Sequence, residues 1–268
     1  MGRGCVALMM HVVYKGRALP LAWLVRQGSK GHFPEDLHIA LVEQVQELIP
    51  PEAKVVLLGD GEFDGTRLQQ TMQDTGWSYV CRTGSQVTAS WQGEPFRLNS
   101  VGWWSKPGTL VAFPEASMTR DAYGPLLLLC YWAKRYKGLL YLVSNLDSAE
   151  EACRLYAKRF RIETFFSDQK SRGFHLHKSP ITDHKRLSRL LIAACLAYFW
   201  IVSLGALCTK EGHGDIIHRR RCCDLSLFQL GLRMLDYFLN EDLPIPVAFH
   251  ICSEKSGKYP AVKSPHTS

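Results

Sequence analysis

The sequence predicts an α/β protein, and three observations along the chain support this prediction. Within residues 1–82, apolar runs of strand length alternate with stretches of helical periodicity. Residues 83–137 lose that periodicity and are rich in Gly, Pro, Ser and Trp, which is typical of short strands joined by turns. Helical patterns return beyond this segment. We therefore expect an α/β core, residues 1–82 and 138–240, that carries a β-rich insertion and is followed by a tail, residues 241–268.

The chain begins with a predicted β-hairpin, because two apolar segments, residues 6–14 and 18–25, flank a short turn that contains Gly16. A helix is predicted over residues 34–49, and the Pro-Pro pair that follows is expected to end it. Its buried face is expected to hold four apolar residues at helical spacing: Leu37, Leu41, Val45 and Leu48.

A strand–helix–strand pattern follows this helix. Residues 54–58 are short, branched and apolar, which predicts a buried strand, and residues 66–74 predict a helix. A strand over residues 77–82 completes the pattern. Beyond the insertion we expect a strand over residues 139–144 and, near the C-terminus, an amphipathic helix over residues 226–239.

The longest regular helix is predicted over residues 148–172. Ser148 and Glu151 form a capping box at its start, and Gly173 is expected to be the first residue after its end. Residues 190–208 carry no charge, which meets the length criterion for a membrane span. We favour a buried core helix, because a single span would be an unusual addition to an α/β core.

The composition excludes several classes of protein. With 46% hydrophobic and 21% charged residues, the chain is an ordinary globular sequence, neither disordered nor collagen-like. Its nine cysteines are odd in number and form no C-x-x-C pair, which argues against a disulfide framework and favours a reducing cytoplasm. The first residues do not have the pattern of a signal peptide.

Positive charge is concentrated in one part of the chain, which we call the basic band, residues 154–189. It holds ten Lys or Arg residues against three acidic ones, so it accounts for the whole formal net charge of +7. A neutral body with one basic band favours a polyanionic partner, most simply the phosphates of a nucleic acid. A solvated helix face explains the same charges equally well at this stage.

Two places in the chain hold candidate catalytic residues. Asp60 follows the strand over residues 54–58, at the sheet edge where α/β proteins usually bind ligands. Converging carboxylates are the ligands that hard divalent cations such as Mg²⁺ need. A turn or N-cap aspartate is the alternative for Asp60, and Asp64 is more readily a helix cap than a substitute for it. Four side chains of the long helix are predicted to share an arc of about 60°: Tyr156, Arg159, Glu163 and Lys170.

The spacing of these four residues, Tyr-x2-Arg-x3-Glu-x6-Lys, resembles the hallmark motif of the DDE transposases of the bacterial insertion-sequence family four. The segment Leu-Leu-Gly-Asp-Gly-Glu-Phe-Asp-Gly around Asp60 is similar to the second-Asp segment of that family. The resemblance extends over residues 2–239 and implies a ribonuclease-H-like catalytic core, with the β-rich insertion between the second Asp and the Glu.

The resemblance also implies roles for these residues. Asp60 and Glu163 would bind Mg²⁺ or Mn²⁺ as members of the DDE triad during phosphodiester cleavage and strand transfer. Tyr156, Arg159 and Lys170 would bind phosphates of double-stranded DNA, both transposon ends and target. A homodimer would bring two DNA ends together. The expected location is the bacterial cytoplasm, in association with the nucleoid and without a membrane.

One departure from the family pattern concerns its first Asp, which should lie on a central strand at or just before Met1. The acidic residues that precede Asp60 fall on the predicted helix or in the loop after it: Glu35, Asp36, Glu43, Glu47 and Glu52. The chain therefore resembles an N-terminally truncated transposase that lacks the first metal ligand and its strand. We expect little or no transposition by this chain alone, and the alternative is a non-catalytic DNA-binding remnant.

Two minor groups of residues complete the candidates. In this family an aromatic residue of the insertion stacks on a base that swings out of the duplex. The residues available for this role, each also compatible with a core position, are Trp132, Trp103 and Trp104. The histidines in the basic band have no Cys or carboxylate at zinc-ligand spacing, so surface positions are favoured for them: His175, His177 and His184.

Overall fold

The computed structural model is a mixed α/β protein, which confirms the predicted class in general terms. The residues that it describes are 3–28, 32–134, 136–212, 217 and 225–247. The predicted tail is therefore described only as far as its seventh residue. The chain divides into two compact units, residues 1–195 and residues 196–268. The four predicted segments, with their three boundaries, differ from this division and stay predictions.

The first element is the predicted hairpin, and the structure confirms it. Strands β1 (Cys5–Tyr14) and β2 (Arg17–Gln27) pair antiparallel as a two-stranded sheet. Lys15 and Gly16 join them with φ angles of 45° and 76°. Positive φ at both central residues gives a two-residue turn whose twist matches that of the strands.

Helix α1 (Glu35–Gln46) follows, and its buried face holds His38, Leu41, Val42 and Val45. The predicted position of Leu48 on this face is wrong, because Leu48 is 58% exposed. The helix ends at Gln46, before the prolines, so the next residues form a turn that no longer follows helical spacing.

The large sheet has seven strands and is mostly antiparallel. Strands β3 (Val56–Gly59) and β4 (Ser78–Arg82) are parallel and are joined by helix α2 (Thr66–Asp74), as predicted. The remaining strands pair antiparallel in the order β3-β4-β9-β8-β7-β5-β6. Their bounds are β5 Thr88–Trp91, β6 Glu94–Arg97, β7 Leu110–Met118, β8 Tyr123–Tyr131 and β9 Leu140–Ser144.

Residues 83–137 hold four of these strands and a 3₁₀ helix, Leu98–Trp103, so their predicted β-rich content is confirmed. The strands do not form a separate sheet, since β8 pairs with β9 and extends the sheet that contains β3 and β4. The insertion and the core therefore share one continuous sheet.

Both faces of the sheet are covered, and adjacent residues of β4 show how. Tyr79 belongs to a hydrophobic cluster with Leu68 of α2, whereas Val80 belongs to a second cluster with Tyr156 on the other face. The six cysteines in the described part of the chain are free and buried.

The long helix predicted over residues 148–172 is interrupted, which corrects the sequence interpretation. Helix α3 (Ala149–Tyr156) passes into a 3₁₀ helix (Ala157–Phe160) and then into α4 (Arg161–Gln169). Half of the predicted capping box is present, since Glu151 N donates to Ser148 Oγ, whereas Glu151 Oε1 accepts a hydrogen bond from Arg154 Nη2. A 3₁₀ segment advances about 120° per residue rather than 100°. A periodicity argument that assumes one continuous helix therefore misplaces every side chain beyond it.

The predicted end at Gly173 is also wrong. Arg172 N donates to Ser167 O and Phe174 N donates to Asp168 O, so the chain already turns after Gln169. The residue in the left-handed region is His175, with φ 52°.

The second unit is described through the end of α5 (His184–Glu211) and α6 (Leu227–Asn240). The two helices approach closely at Gly205 and Gly231, because a Cβ on either would collide with a backbone carbonyl of the other helix. The rings of Tyr198 and Phe228 stack beside this contact, 5.3 Å apart. Among the described residues, α5 is the one helix long and apolar enough to cross a membrane by length and composition, with 39% of the apolar window buried. The buried core helix stays our prediction for it.

Candidate active site

Asp60 directly follows β3, at the end of the parallel strand pair where the sequence predicts it. It lies at the surface, and its Oδ1 accepts a hydrogen bond from Glu62 N at 3.2 Å. The residue before it must be small, because a Cβ on Gly59 would collide with the side chain of Phe63. The turn thus fixes the backbone at Asp60 while the carboxylate stays accessible.

Arg159 joins two of the other motif residues. Its Nη2 lies 3.3 Å from Glu163 Oε1, and its guanidinium carbon lies 5.6 Å from the centre of the Tyr156 ring. The Arg159 side chain is 15% exposed and that of Glu163 is 59% exposed. The structure therefore brings Tyr156, Arg159 and Glu163 together at the change from 3₁₀ helix to α4.

Asp60 acts electrostatically on this group. The 3₁₀ helix contacts β3, and Tyr156 is buried against the sheet. Burial raises the pKa of the Tyr156 hydroxyl, the nearby charges of Arg159 and Arg82 lower it, and the Asp60 charge makes a smaller contribution that raises it. The Asp60 charge therefore acts on Tyr156, the first residue of the motif.

Lys170 lies apart from this group. Because α4 ends at Gln169, Lys170 falls outside the helix, and its Nζ lies 5.5 Å from the Phe166 ring centre. Its backbone N still donates to Phe166 O at 3.0 Å, and its place on the predicted stripe stays a prediction. Lys170 is exposed, and its role as a phosphate ligand stays a prediction.

Sequence analysis missed a cleft beside the motif. The cleft has a volume of about 430 Å³ and is lined by Tyr136, Ala157, Lys158, Phe160 and Arg161. The rings of Tyr136 and Phe160 lie 5.8 Å apart, so the cleft combines aromatic surface with positive charge. Lys158 and Arg161 stand within the motif and were a usable signal. Tyr136 comes from the distant insertion, and the fold alone brings it there.

The candidate tryptophans differ in exposure. A core position is wrong for Trp103 and Trp104, which are 90% and 63% exposed because they end a surface 3₁₀ helix. Trp132 is partly buried, and its Nε1 donates to Tyr136 O at 3.1 Å. Trp132 therefore supports the backbone of a cleft residue.

Asp64 is not the cap of α2, which corrects that interpretation. The N-cap residue is Gly65. The backbone N of Leu68, in the first turn of α2, donates a hydrogen bond to Glu35 Oε1 at 3.0 Å. Asp64 Oδ2 accepts a hydrogen bond from Thr83 Oγ1 at 2.7 Å. Burial raises the pKa of Asp64, and this hydrogen bond opposes the effect.

Sequence analysis also missed a buried polar region where α4 packs on the hairpin. His11 of β1 packs edge-to-face on Phe165, with ring centres 4.5 Å apart, and burial lowers the pKa of His11 to about 4. Asp168 is fully buried, and this burial raises its pKa to about 6 despite the opposing charge of Arg17. Neither pattern nor composition distinguishes these residues from surface ones.

Within the described part of the chain, no group of three or more His, Cys, Asp or Glu side chains is placed to hold a metal ion. The roles of Asp60 and Glu163 as metal ligands stay predictions.

A family model of transposase DDE domains matches residues 2–200, which is well over half of the chain. The chain belongs to the transposase DDE domain family. Membership in this family supports a transposase function, and the mixed α/β fold with its mostly antiparallel sheet is consistent with it. A comparison with curated proteins finds no match for this DDE domain.

Proposed function

We propose that this DDE domain is the catalytic core of a bacterial insertion-sequence transposase of family four. It would catalyse metal-dependent phosphodiester cleavage and strand transfer at the ends of the element. The observation that carries the proposal is the contact of Arg159 with both Glu163 and Tyr156, in a group under the electrostatic influence of Asp60. In this proposal Asp60 and Glu163 supply carboxylates for a metal ion, and Arg159 supplies a cation for phosphate.

The proposed cofactor is Mg²⁺ or Mn²⁺, held by Asp60 and Glu163. The two carboxylates fit such an ion, since Mg²⁺ commonly takes one or two carboxylates together with waters and substrate phosphates. The ion supplies charge neutralisation at the attacked phosphate and activation of the attacking hydroxyl. Glu163 must move or share its contact with Arg159, because its Oε1 faces the guanidinium.

The chain's own residues bind and orient the DNA in this proposal. Arg159 has a planar guanidinium that can bind a phosphate at two points. Lys170 adds an exposed positive charge that would bind a phosphate further along the DNA strand. The exposed basic residues of the basic band extend this surface: Arg154, Lys158, Arg161, Lys170, Arg172, Lys178, Lys185, Arg186 and Arg189. The cleft between Tyr136 and Phe160 would hold an unpaired base.

The ribonuclease-H-like core remains part of this proposal. An antiparallel hairpin followed by a parallel β3-α2-β4 unit supports it. Two acidic residues that precede Asp60 have structural roles in the fold. Glu35 binds the N-terminus of α2, and Asp36 lies 2.8 Å from Arg67. We therefore propose that neither supplies the first Asp of the triad and that this chain alone has little or no transposition activity.

The alternative is a DNA-binding remnant without catalysis. The exposed basic band favours it, because phosphate binding needs those charges and not a complete set of metal ligands. A homodimer that joins two DNA ends, and a location with the nucleoid in the bacterial cytoplasm, belong to either proposal.

The test is the effect of Mn²⁺ on the affinity for a fluorescent DNA duplex. If Asp60 and Glu163 bind a metal beside the DNA, Mn²⁺ strengthens binding at least about threefold, and Asp60→Asn or Glu163→Gln removes the gain. Glu150→Gln, an exposed acid on α3, is the matched control and retains it. Binding without any Mn²⁺ effect supports the remnant, and absence of DNA binding contradicts both proposals.

A further inference from the structure

Arg82 is the last residue of β4, at the end of the large sheet where Asp60 lies. Strands β3 and β4 pair in parallel as far as Gly59 and Cys81, so the next residues along the two strands are Asp60 and Arg82. Neighbouring strands lie about 4.8 Å apart. The fold therefore places a basic residue next to the candidate metal ligand, although this arginine belongs neither to the basic band nor to the four-residue motif.

The alternation of side chains along β4 sets the face on which Arg82 lies. Cys81 belongs to the hydrophobic cluster on the α2 face, whereas Val80 belongs to the cluster that contains Tyr156. Because successive strand residues point to opposite faces, Arg82 points to the same face as Val80. Leu142 of β9 pairs with Arg82 and is buried in that same cluster. Arg82 therefore projects from the sheet on the side of the motif helix.

Two arginines from different elements act on the Tyr156 side chain. Burial raises the pKa of the Tyr156 hydroxyl, and the charges of Arg159 and Arg82 lower it. The guanidinium carbon of Arg159 lies 5.6 Å from the centre of the Tyr156 ring. A cation at the end of the sheet and a cation on the motif helix therefore both lie near this tyrosine.

Neither guanidinium is fully satisfied by the protein. Arg82 is exposed, and within the described part of the chain it forms no ion pair with a carboxylate. Arg159 pairs with Glu163 through Nη2, while its buried Nε has no hydrogen-bond partner among the described residues. Guanidinium groups carry donors and no acceptor, and their planar fork matches the oxygens of a phosphate. Two such groups beside a phenol hydroxyl therefore suit an oxyanion.

We propose that Arg82 and Arg159 form an anion site beside Tyr156, in which Arg82 binds a backbone phosphate of DNA next to Asp60. That the anion belongs to DNA rests on the proposed function, whereas the site itself rests on the fold. The competing explanation is that Arg82 only offsets the negative charge of Asp60 on the neighbouring strand.

The salt dependence of duplex binding, measured in EDTA, tests the phosphate contact without any metal ion. Loss of one phosphate contact lowers the slope of log affinity against log salt concentration by about 0.9. We expect Arg82→Gln to lower the slope by about this amount and to weaken binding about fivefold, while the melting temperature stays near native. Arg82→Lys, which keeps the charge, should keep the slope.

Arg120→Gln is the matched control. Arg120 is an exposed arginine in the turn between β7 and β8, at the opposite end of the same sheet. This variant should leave both the slope and the affinity unchanged. An equal effect of Arg120→Gln and Arg82→Gln, or an unchanged slope in Arg82→Gln, overturns the proposal.

Asp60→Asn separates the proposal from its competitor. If Arg82 binds phosphate, Arg82→Gln lowers the slope by about the same amount in the Asp60→Asn chain as in the native chain. If Arg82 only offsets the charge of Asp60, the effect of Arg82→Gln disappears once that carboxylate is gone. This second result contradicts the anion site.

Inorganic phosphate tests the site without DNA. In the native chain, we expect phenylglyoxal to modify Arg82 about threefold more slowly in phosphate than in chloride of equal ionic strength, as followed by peptide mass spectrometry. Arg120 should react equally in both salts. Equal reaction of Arg82 in both salts overturns the proposal. Protection of Arg82 by phosphate in a chain that fails to bind DNA supports the anion site and contradicts the proposed function.

Discussion

Arg159 and Glu163 form an ion pair in which one partner is sheltered and the other is open to solvent. Nη2 and Oε1 lie 3.3 Å apart, while the side chains are 15% and 59% exposed. The sheltered guanidinium also lies 5.1 Å from the centre of the Phe160 ring. The arginine is therefore fixed by aromatic rings, and the glutamate is free to exchange this contact for another ligand.

The Arg159→Lys variant should show that the guanidinium shape matters as well as its charge. Lysine cannot bind a carboxylate or phosphate at two points and stacks less well on rings, so we expect a loss of stability of about 1 kcal/mol and weaker DNA binding. Urea unfolding and duplex titration measure the two effects. Arg154→Lys is the control, because Arg154 pairs with Glu151 at 3.1 Å on an exposed surface. Equal effects in the two variants would contradict this interpretation.

Gly65→Ala should destabilise the protein, because the new Cβ would collide with the Glu35 carboxylate that binds the N-terminus of α2. The Glu35 side chain would rotate away and lose its hydrogen bond to Leu68 N, so we expect the loss of a helix cap, about 0.5–2 kcal/mol in the free energy of unfolding. Gly61→Ala is the control in the same loop, since nothing lies within 4 Å of a Cβ there. It should change stability by less than about 0.5 kcal/mol. Similar urea midpoints for the two variants would argue against the collision.

His11 should make the fold sensitive to acid. Its pKa is lowered by burial from 6.5 to about 4, so the unfolded chain binds a proton more readily than the folded chain does. This contribution to stability is complete above pH 6.5 and is lost as the pH falls toward 4. His11→Phe, which can pack on the same aromatic rings, should flatten the melting temperature over this range. A parallel pH dependence in both proteins would refute the assignment.

Ionisation of Asp168 should change the stability of the fold with pH in the opposite direction. Burial raises its pKa from 3.8 to about 6, so the ionised carboxyl destabilises the folded state above that pH. Asp168→Asn should therefore melt at a higher temperature than the native chain at pH 7.5. The difference should shrink as the pH falls through 6 toward 3.8, because protonation removes the buried charge. A lower melting temperature for the variant at pH 7.5 would show that nearby arginines stabilise the charge.

Local patterns predicted much of the first half of the fold. The hairpin and α2 depend on neighbouring residues, such as the Lys15–Gly16 turn with its positive φ angles, and both agree with the structure. The continuous long helix was wrong because the change to 3₁₀ geometry at Ala157–Phe160 occurs where rings from α3 and the insertion meet. That contact is not visible in one-dimensional periodicity.

The residues of the candidate site also fall into those that local sequence predicts and those that it does not. Asp60 and Glu163 were found because their segments carry recognisable spacing, but their roles stay predictions. Tyr136 beside the motif was missed, since it comes from an element distant in sequence and has no distinguishing neighbour. Such residues become visible only when tertiary contacts are known.

The strand order also affects the order in which parts of the molecule fold. Ser144 Oγ donates to Tyr79 O across 65 positions of sequence, and β4 pairs with β9 through that same stretch. The sheet face that supports α3 therefore cannot close until the chain between these strands has been synthesised and paired. Because such distant pairings slow folding, the platform for the motif helix should be among the last parts of the molecule to form.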